Sequence, residues 1–158
     1  MQTSGTIATR RGGAGFSLVE LVLVLAITAT LAGLALPRFA DAQARQRAAA
    51  AARRVAIDLQ RTAQSARHAG ATRTVVFDTA AAAYTLSGVR DVDQTLSPRV
   101  VLADDPYRAT ISVQTGNGSA KVNFDGYGRP DATARIGVTV GRYRREVALD
   151  AAGGVTLP

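Results

Sequence analysis

A chain of 158 residues without any cysteine cannot form a disulfide, a thiolate metal site or a cysteine nucleophile. Its length suits one modest domain beside an N-terminal segment, and a hydrophobic content of 47% with few aromatic residues predicts a core of Val, Leu, Ile and Ala. The formal net charge of +7 raises the question of nucleic-acid binding, but almost all basic residues along the chain are arginine, which favours a compositional bias instead.

The longest apolar stretch of the chain runs from Phe16 to Leu36, and Glu20 is its only charged residue. These 21 residues are long enough to cross a hydrocarbon core of about 30 Å as a helix. A charge inside such a segment costs roughly 2.5–3.5 kcal/mol at mid-bilayer, so Glu20 is expected to have a partner. Arg10 and Arg11 precede the stretch, and positive charge there predicts a cytoplasmic N-terminus and a single pass outward.

Three ordinary kinds of N-terminal segment fit this stretch poorly. A secretory signal has a shorter apolar core of about 7–15 residues, although Ala40-Asp41-Ala42 would offer it a cleavage site. A twin-arginine signal needs apolar residues soon after the arginine pair, where Gly12-Gly13-Ala14-Gly15 stands instead. A simple single-pass anchor explains the length, but it explains neither Glu20 nor the junction between Gly15 and Phe16.

The Gly15-Phe16 junction, followed by Glu20, resembles the N-terminal signal of type IV pilins and type II secretion pseudopilins. The resemblance implies that prepilin peptidase cuts between Gly15 and Phe16 and then N-methylates the new amine of Phe16. It also implies that this amine pairs with Glu20 of a neighbouring subunit and so sets the axial register of a fibre. The alternative is that Glu20 reaches the membrane interface and pairs with nothing. Pro37, at an offset common in pilins, is expected to kink the helix without ending it.

Residues 38–69 are predicted to continue as an amphipathic helix, because apolar residues recur at helical spacing along one face. Gly70 predicts the end of this helix. The predicted organisation is therefore a leader (1–15), a transmembrane helix half (16–37), an amphipathic soluble half (38–69) and a periplasmic β domain (70–158). The apolar face comprises Ala52, Val55, Ala56, Leu59, Ala63 and Ala66, and the charged side comprises Arg53, Arg54, Asp58, Arg61 and Arg67.

Short runs of β-forming residues fill the remainder of the chain. Gly116–Ser119 is a strong turn signal that predicts a hairpin between the runs on either side, and Gly141-Arg142 predicts another turn. One helix followed only by strands predicts a pilin-like α+β fold, in which a long N-terminal helix packs against antiparallel β-sheet. The runs are Thr72–Asp78, Ala83–Ser87, Pro98–Ala103, Ala109–Thr115, Lys121–Phe124, Ala134–Val140, Arg145–Asp150 and Val155–Leu157.

The β half resembles the GspH/FimT family in three stretches, from Leu96 to Leu102, from Asn123 to Gly128 and from Leu149 to Val155. That family contains the H-type minor pseudopilin of type II secretion and a minor pilin of type IV pili. The resemblance implies a structural subunit, not an enzyme and without a cofactor, in the inner membrane with its β domain in the periplasm. The implied partners are other major and minor pseudopilins, prepilin peptidase, the inner-membrane secretion platform and membrane lipid. With the other pseudopilins, the chain is implied to form a pseudopilus whose tip helps to drive the export of folded proteins.

Gly141-Arg142-Tyr143-Arg144-Arg145 is the candidate for nucleic-acid binding. Closely spaced arginines can grip phosphates, and Tyr143 is suited to stack on a base. A Gly-Arg-x-Arg signature marks DNA-binding minor pilins of the FimT type, which implies an alternative function as a minor type IV pilin that takes up DNA. In that group the signature lies near the extreme C-terminus, however, and Gly153–Leu157 contains no arginine here. A third alternative is a lone membrane-anchored periplasmic binding domain.

No pattern in the sequence predicts catalysis or a metal site. His68 has no second histidine to complete a ligand pair and is predicted to be a surface residue near a helix end. Asp91, Asp93 and the pair Asp104-Asp105 lie outside any EF-hand-type loop, so they are predicted to be solvated acids in turns.

Overall fold

The computed structural model describes residues 16–90, 93 and 95–157, within two compact units, Met1–Phe39 and Ala40–Pro158. In this part of the chain one α-helix precedes eight β-strands, which confirms the predicted α+β fold. The helix is α1 (Leu18–Ala69). The strands are β1 (Arg73–Asp78), β2 (Ala83–Ser87), β3 (Arg99–Val101), β4 (Thr110–Thr115), β5 (Lys121–Phe124), β6 (Ala134–Val140), β7 (Tyr143–Leu149) and β8 (Val155–Thr156).

Helix α1 ends at Ala69, as Gly70 predicts. The Gly70 N–H donates to the carbonyl of Arg67 at 3.3 Å, and the Ala71 N–H donates to the carbonyl of Ala66 at 3.2 Å. This pair of bonds is the Schellman motif, which satisfies carbonyls that the end of a helix leaves without partners. Gly70 has a φ of 57°, a left-handed conformation that glycine adopts without a steric penalty.

The strands form two antiparallel four-stranded sheets, with the orders β3-β2-β1-β5 and β4-β6-β7-β8. In the first sheet Val75 lies opposite both Leu86 and Val122, and in the second Val138 lies opposite Ile111. These side chains share one core with the buried face of α1 in the unit Ala40–Pro158. The prediction of that helix face is confirmed, since all of its members are buried: Ala52, Val55, Ala56, Leu59, Ala63 and Ala66.

The predicted hairpin at Gly116–Ser119 is wrong. The turn itself forms, with the Gly118 N–H donating to the carbonyl of Thr115 at 3.1 Å. However, β4 pairs with β6 and β5 pairs with β1, so the connection passes from one sheet to the other. A turn signal reports a local reversal of the chain, whereas burial selects the partner strand. In the first sheet β5 places Val122 and Phe124 fully in the core.

The predicted exposure of Asp58 is also wrong, because only 2% of this residue is exposed. Its neighbour one turn later, Thr62, is fully buried as well. The buried face of α1 is therefore broader than the apolar spacing predicts. Burial of a carboxylate is tolerated when it is paired and hydrogen-bonded, and Asp58 meets that condition through Arg54 and Tyr84.

Candidate functional site

The start of α1 carries the predicted assembly residues, apart from Gly15, which lies outside the described residues. Phe16 is 80% exposed, and the Leu21 N–H donates to the carbonyl of Ser17 at 3.1 Å. Ser17 therefore occupies the N-cap position, and Glu20 is the third helical residue, where the helix dipole favours an anion. No hydrogen bond or ion pair joins the Glu20 carboxylate to another described residue.

The first half of α1 is apolar and uncovered. Every residue from 16 to 33 is exposed, and α1 is long and apolar enough to cross a membrane, a test that signal sequences near an N-terminus also pass. Such a surface needs lipid or other apolar helices as its surroundings. Helix α1 runs through residue 37 without interruption, and the kink at Pro37 stays a prediction.

A hairpin turn brings the predicted arginine cluster to the side of α1. Gly141, with a φ of 56°, and Arg142 connect β6 to β7. Arg142 forms a salt bridge with Asp41 of α1, and its Nη2 donates to the hydroxyl of Tyr143 at 3.1 Å. The guanidinium of Arg45 lies 5.2 Å from the centroid of the Tyr143 ring, and that of Arg142 lies 5.3 Å from it. We call Asp41, Arg45, Arg142 and Tyr143 the Tyr143 cluster.

The charges of the Tyr143 cluster perturb one another. Hydrogen bonds from Arg45 and then from Arg142 lower the pKa of Tyr143 below its ordinary value. The hydrogen bond with Tyr143 and the negative charge of Asp41 raise the pKa of Arg142. Two cations thus lie near one half-buried aromatic ring, an arrangement that cation–π attraction favours.

The other two arginines of the predicted cluster do not join this arrangement. Arg144 lies opposite Thr139 on the outer face of the second sheet, and its Nη2 is 4.0 Å from Oε2 of Glu146. A Cβ at Gly137 would come within 2.8 Å of the Arg144 guanidinium, so glycine leaves room for this side chain. Arg145 lies on the opposite face, in register with Val138, and lines a small cavity with Arg53. The structure therefore brings Arg142 and Tyr143 together and separates Arg144 from Arg145.

A buried polar group, which the sequence did not reveal, links α1 to the first sheet. Oδ2 of Asp58 accepts hydrogen bonds from Nε of Arg54 at 2.9 Å and from the hydroxyl of Tyr84 at 2.6 Å. The Thr62 hydroxyl donates to the backbone carbonyl of Asp58 at 2.7 Å. The spacing of Arg54 and Asp58 was a weak signal for their ion pair. No signal in the sequence indicated Tyr84 as a partner, because it lies 26 residues beyond Asp58.

The pKa values of this buried group follow from its surroundings. Burial, and then the negative charge of Asp58, raise the pKa of Tyr84 far above its ordinary value. Burial lowers the pKa of Arg54, but the charge and hydrogen bond of Asp58 outweigh it, so the net change is upward. Tyr84 is therefore a neutral donor, and Asp58 and Arg54 form an ion pair. The geometry suits a structural link in the core, since no cleft opens onto it among those lined by described residues.

An open cleft of about 680 Å³ lies beside the last two turns of α1. Its walls include the cationic side chains of Arg61, Arg73 and Arg90, together with His68, which is exposed as predicted. Nε of Arg73 is buried there without a hydrogen-bond partner among the described residues. The described part of the chain has no group of three or more His, Cys, Asp or Glu residues that could hold a metal ion.

Comparisons with known proteins match the N-terminal stretch by its sequence and most of the chain by its fold. Residues 10–36 match the family described as the prokaryotic N-terminal methylation motif. The fold is similar to the crystal structure of the type IV minor pilin FimU of Pseudomonas aeruginosa strain PAO1, with a TM-score of 0.52 and 14% sequence identity, covering 72% of this chain and 90% of FimU. No curated protein sequence matches the chain. The chain thus combines a prokaryotic N-terminal methylation motif with a type IV pilin-like fold.

Proposed function

We propose that this chain is an H-type minor pseudopilin of a type II secretion system, a structural subunit that helps to form the pseudopilus tip. The methylation motif, the pilin-like fold and the GspH/FimT-like stretches of the β half support this function. The observation that carries it is the uncovered apolar start of α1, with the carboxylate of Glu20 in its first turn and no partner for that charge among the described residues.

The proposed sequence of events begins in the inner membrane. Residues 1–15 form the cytoplasmic leader, residues 16–37 cross the membrane, and residues 38–69 and the β domain 70–158 lie in the periplasm. Prepilin peptidase cuts between Gly15 and Phe16 and methylates the new amine of Phe16, which keeps its positive charge. The subunit is then ready to join other major and minor pseudopilins on the secretion platform.

Electrostatics explains how Glu20 guides this assembly. Opposite charges attract strongly in a low dielectric, and a carboxylate without a partner is costly there. An incoming subunit therefore gains most where its Glu20 meets the Phe16 amine of a neighbour. Ala32 and Gly33 are small enough to allow close approach of another stem, and no described residue lies within 4 Å of where a Cβ at Gly33 would be.

Processing gives the first test. We expect mass spectrometry of the membrane-extracted protein to find an N-terminus at Phe16 that carries one methyl group. The Gly15→Leu variant is expected to keep the leader, because a bulky side chain at the cut site blocks the peptidase. Since the chain has no cysteine, a single Val19→Cys replacement then reports neighbouring stems by disulfide crosslinking to a cysteine-bearing major subunit. An uncut N-terminus in the wild-type protein would instead support a lone anchored domain.

A minor type IV pilin that binds DNA is the second candidate, favoured by the likeness of the fold to a type IV minor pilin. Its test is a gel shift at two salt concentrations with Arg142→Gln/Arg144→Gln. A DNA-binding role requires salt-sensitive binding that falls by roughly tenfold or more when both arginines are lost. We expect weak binding that this variant shares with an Arg99→Gln control, because Arg144 and Arg145 face opposite ways and the arginines form no continuous track for a phosphate backbone.

A further inference from the structure

We propose that the two exposed arginines of the Tyr143 cluster, with its half-buried ring, bind anionic phospholipid head groups, at the leaflet from which the β domain emerges. This binding rests on the membrane anchoring in the proposed function, and on no other part of it. It would hold the β domain of the unassembled subunit against the membrane surface.

The covalent chain keeps the cluster near the membrane. Asp41 follows the last residue of the apolar stretch, Leu36, by five positions. Five residues span at most about 18 Å even when fully extended, whatever direction the chain takes after Pro37. The salt bridge between Asp41 and Arg142 then ties the guanidinium of Arg142 to this short stretch of chain. The head-group layer itself occupies about 5–8 Å of each leaflet, so the cluster lies close to it.

The chemistry of the cluster suits lipid phosphate. The side chain of Arg142 is 69% exposed, and its contacts with Asp41 and Tyr143 both use Nη2. Its Nε and Nη1 groups therefore remain as donors for a phosphate oxygen. The exposed Arg45 supplies a second guanidinium, 5.2 Å from the centroid of the ring. Tyrosine is enriched at membrane interfaces because its ring is apolar and its hydroxyl is polar.

The local charge also favours an anionic surface. Arg45 and Arg142 bring two positive charges to the cluster against the one negative charge of Asp41. Arg144 and Arg145 add two more at the start of β7, where Arg144 lies 4.0 Å from Glu146. Anionic lipid attracts such a surplus of arginine within about a Debye length of the surface. DNA is a poorer fit, because Arg144 and Arg145 face opposite ways and offer no continuous track for a phosphate backbone.

A tryptophan reporter tests the contact, because the chain has no tryptophan of its own. The full chain is reconstituted in nanodiscs that contain a trace of lipid with a nitroxide on its head group. For Tyr143→Trp, we expect quenching of the tryptophan fluorescence to rise about twofold when phosphatidylglycerol replaces part of the phosphatidylcholine. In 1 M salt, where the Debye length is only about 3 Å, the quenching should return to its value in neutral lipid. A second reporter, Thr139→Trp, keeps Tyr143 and lies opposite Arg144 in the sheet.

Two matched variants make the outcome decisive. Arg45→Gln/Arg142→Gln should abolish the phosphatidylglycerol response of the Thr139→Trp reporter. Tyr127→Trp should show no response, because Tyr127 is 80% exposed yet its carbonyl is bound by Arg67, far along α1 from Asp41. Equal quenching in both lipids would overturn the proposal, and so would DNA binding with the same arginine dependence in neutral nanodiscs. Failure of pseudopilus assembly would leave the quenching result unchanged, so the two proposals fail separately.

Discussion

Under the proposed function, Glu20→Gln is expected to remove the chain from the pseudopilus without removing it from the membrane. The glutamine keeps nearly the same shape but cannot form the proposed ion pair with the methylated amine of a neighbouring Phe16. Removing one partner of a buried pair costs about 3–5 kcal/mol, which corresponds to a loss of incorporation of roughly 100-fold or more. Insertion should be unharmed or improved, since a charge within the apolar segment is itself unfavourable. The measurement is the fraction of the subunit that crosslinks to the major pseudopilin through Val19→Cys.

Conservative variants separate the pairing of Glu20 from its shape. Glu20→Asp keeps the charge and is expected to restore a part of the crosslinking. Thr28→Val serves as a matched control in the same apolar segment, because the Thr28 hydroxyl only bonds to carbonyls of its own helix. If Glu20→Gln crosslinked and supported export as well as the wild type, the carboxylate would have no role in assembly, and the pseudopilin function would have to be given up.

Local patterns predicted the parts of the fold that depend on neighbours in sequence. The buried face of α1 follows from the helical spacing of residues such as Val55 and Leu59, and its end follows from the conformation of Gly70. The β6–β7 hairpin was predicted at Gly141-Arg142 for the same reason. The partner strand of β5 was not predicted. Val122 of β5 pairs with Val75 of β1, and only the burial of both side chains distinguishes this pairing from a hairpin with β4.

The candidate sites also divide into those set by neighbours in sequence, which could be predicted, and those set by distant residues, which could not. Phe16 and Glu20 stand in a motif that a few adjacent residues define, so the sequence alone suggests their roles. The salt bridge of Arg142 with Asp41 joins residues 101 positions apart, and Asp58 meets Tyr84 across 26 positions. No periodicity connects such residues, and each contact exists only because sheets and helix share one core. The arginine cluster could therefore be found in the sequence, but the direction of each side chain could not.

Asp58→Ala is expected to destabilise the β domain by roughly 3 kcal/mol, near the lower end of the cost of breaking a buried pair. The alanine leaves the Tyr84 hydroxyl buried without its acceptor and leaves Arg54 without its anion. The side chain of Arg54 is 37% exposed, so water compensates it in part, and most of the loss falls on Tyr84. The measurement is urea unfolding of the detergent-solubilised full chain. Asp41→Ala is the matched control on the same helix: its salt bridge with Arg142 is exposed and screened by solvent, so its loss should cost much less than the loss of Asp58.

Tyr84 adds a pH dependence that tests the same group. Its folded pKa is raised, whereas tyrosine in the unfolded chain ionises near pH 10, at about its reference value. The contribution of Tyr84 is therefore fully present below pH 10 and is lost as the pH rises above it, because only the unfolded chain then releases the proton. Above pH 10 the free energy of unfolding is therefore expected to fall by about 1.4 kcal/mol per pH unit. Tyr84→Phe should lower stability at neutral pH by about 1–3 kcal/mol, since Asp58 loses a donor, and should also lack that slope. An Asp58→Ala chain as stable as Asp41→Ala, or equal slopes for the wild type and Tyr84→Phe, would mean that this contact does not hold α1 to the first sheet.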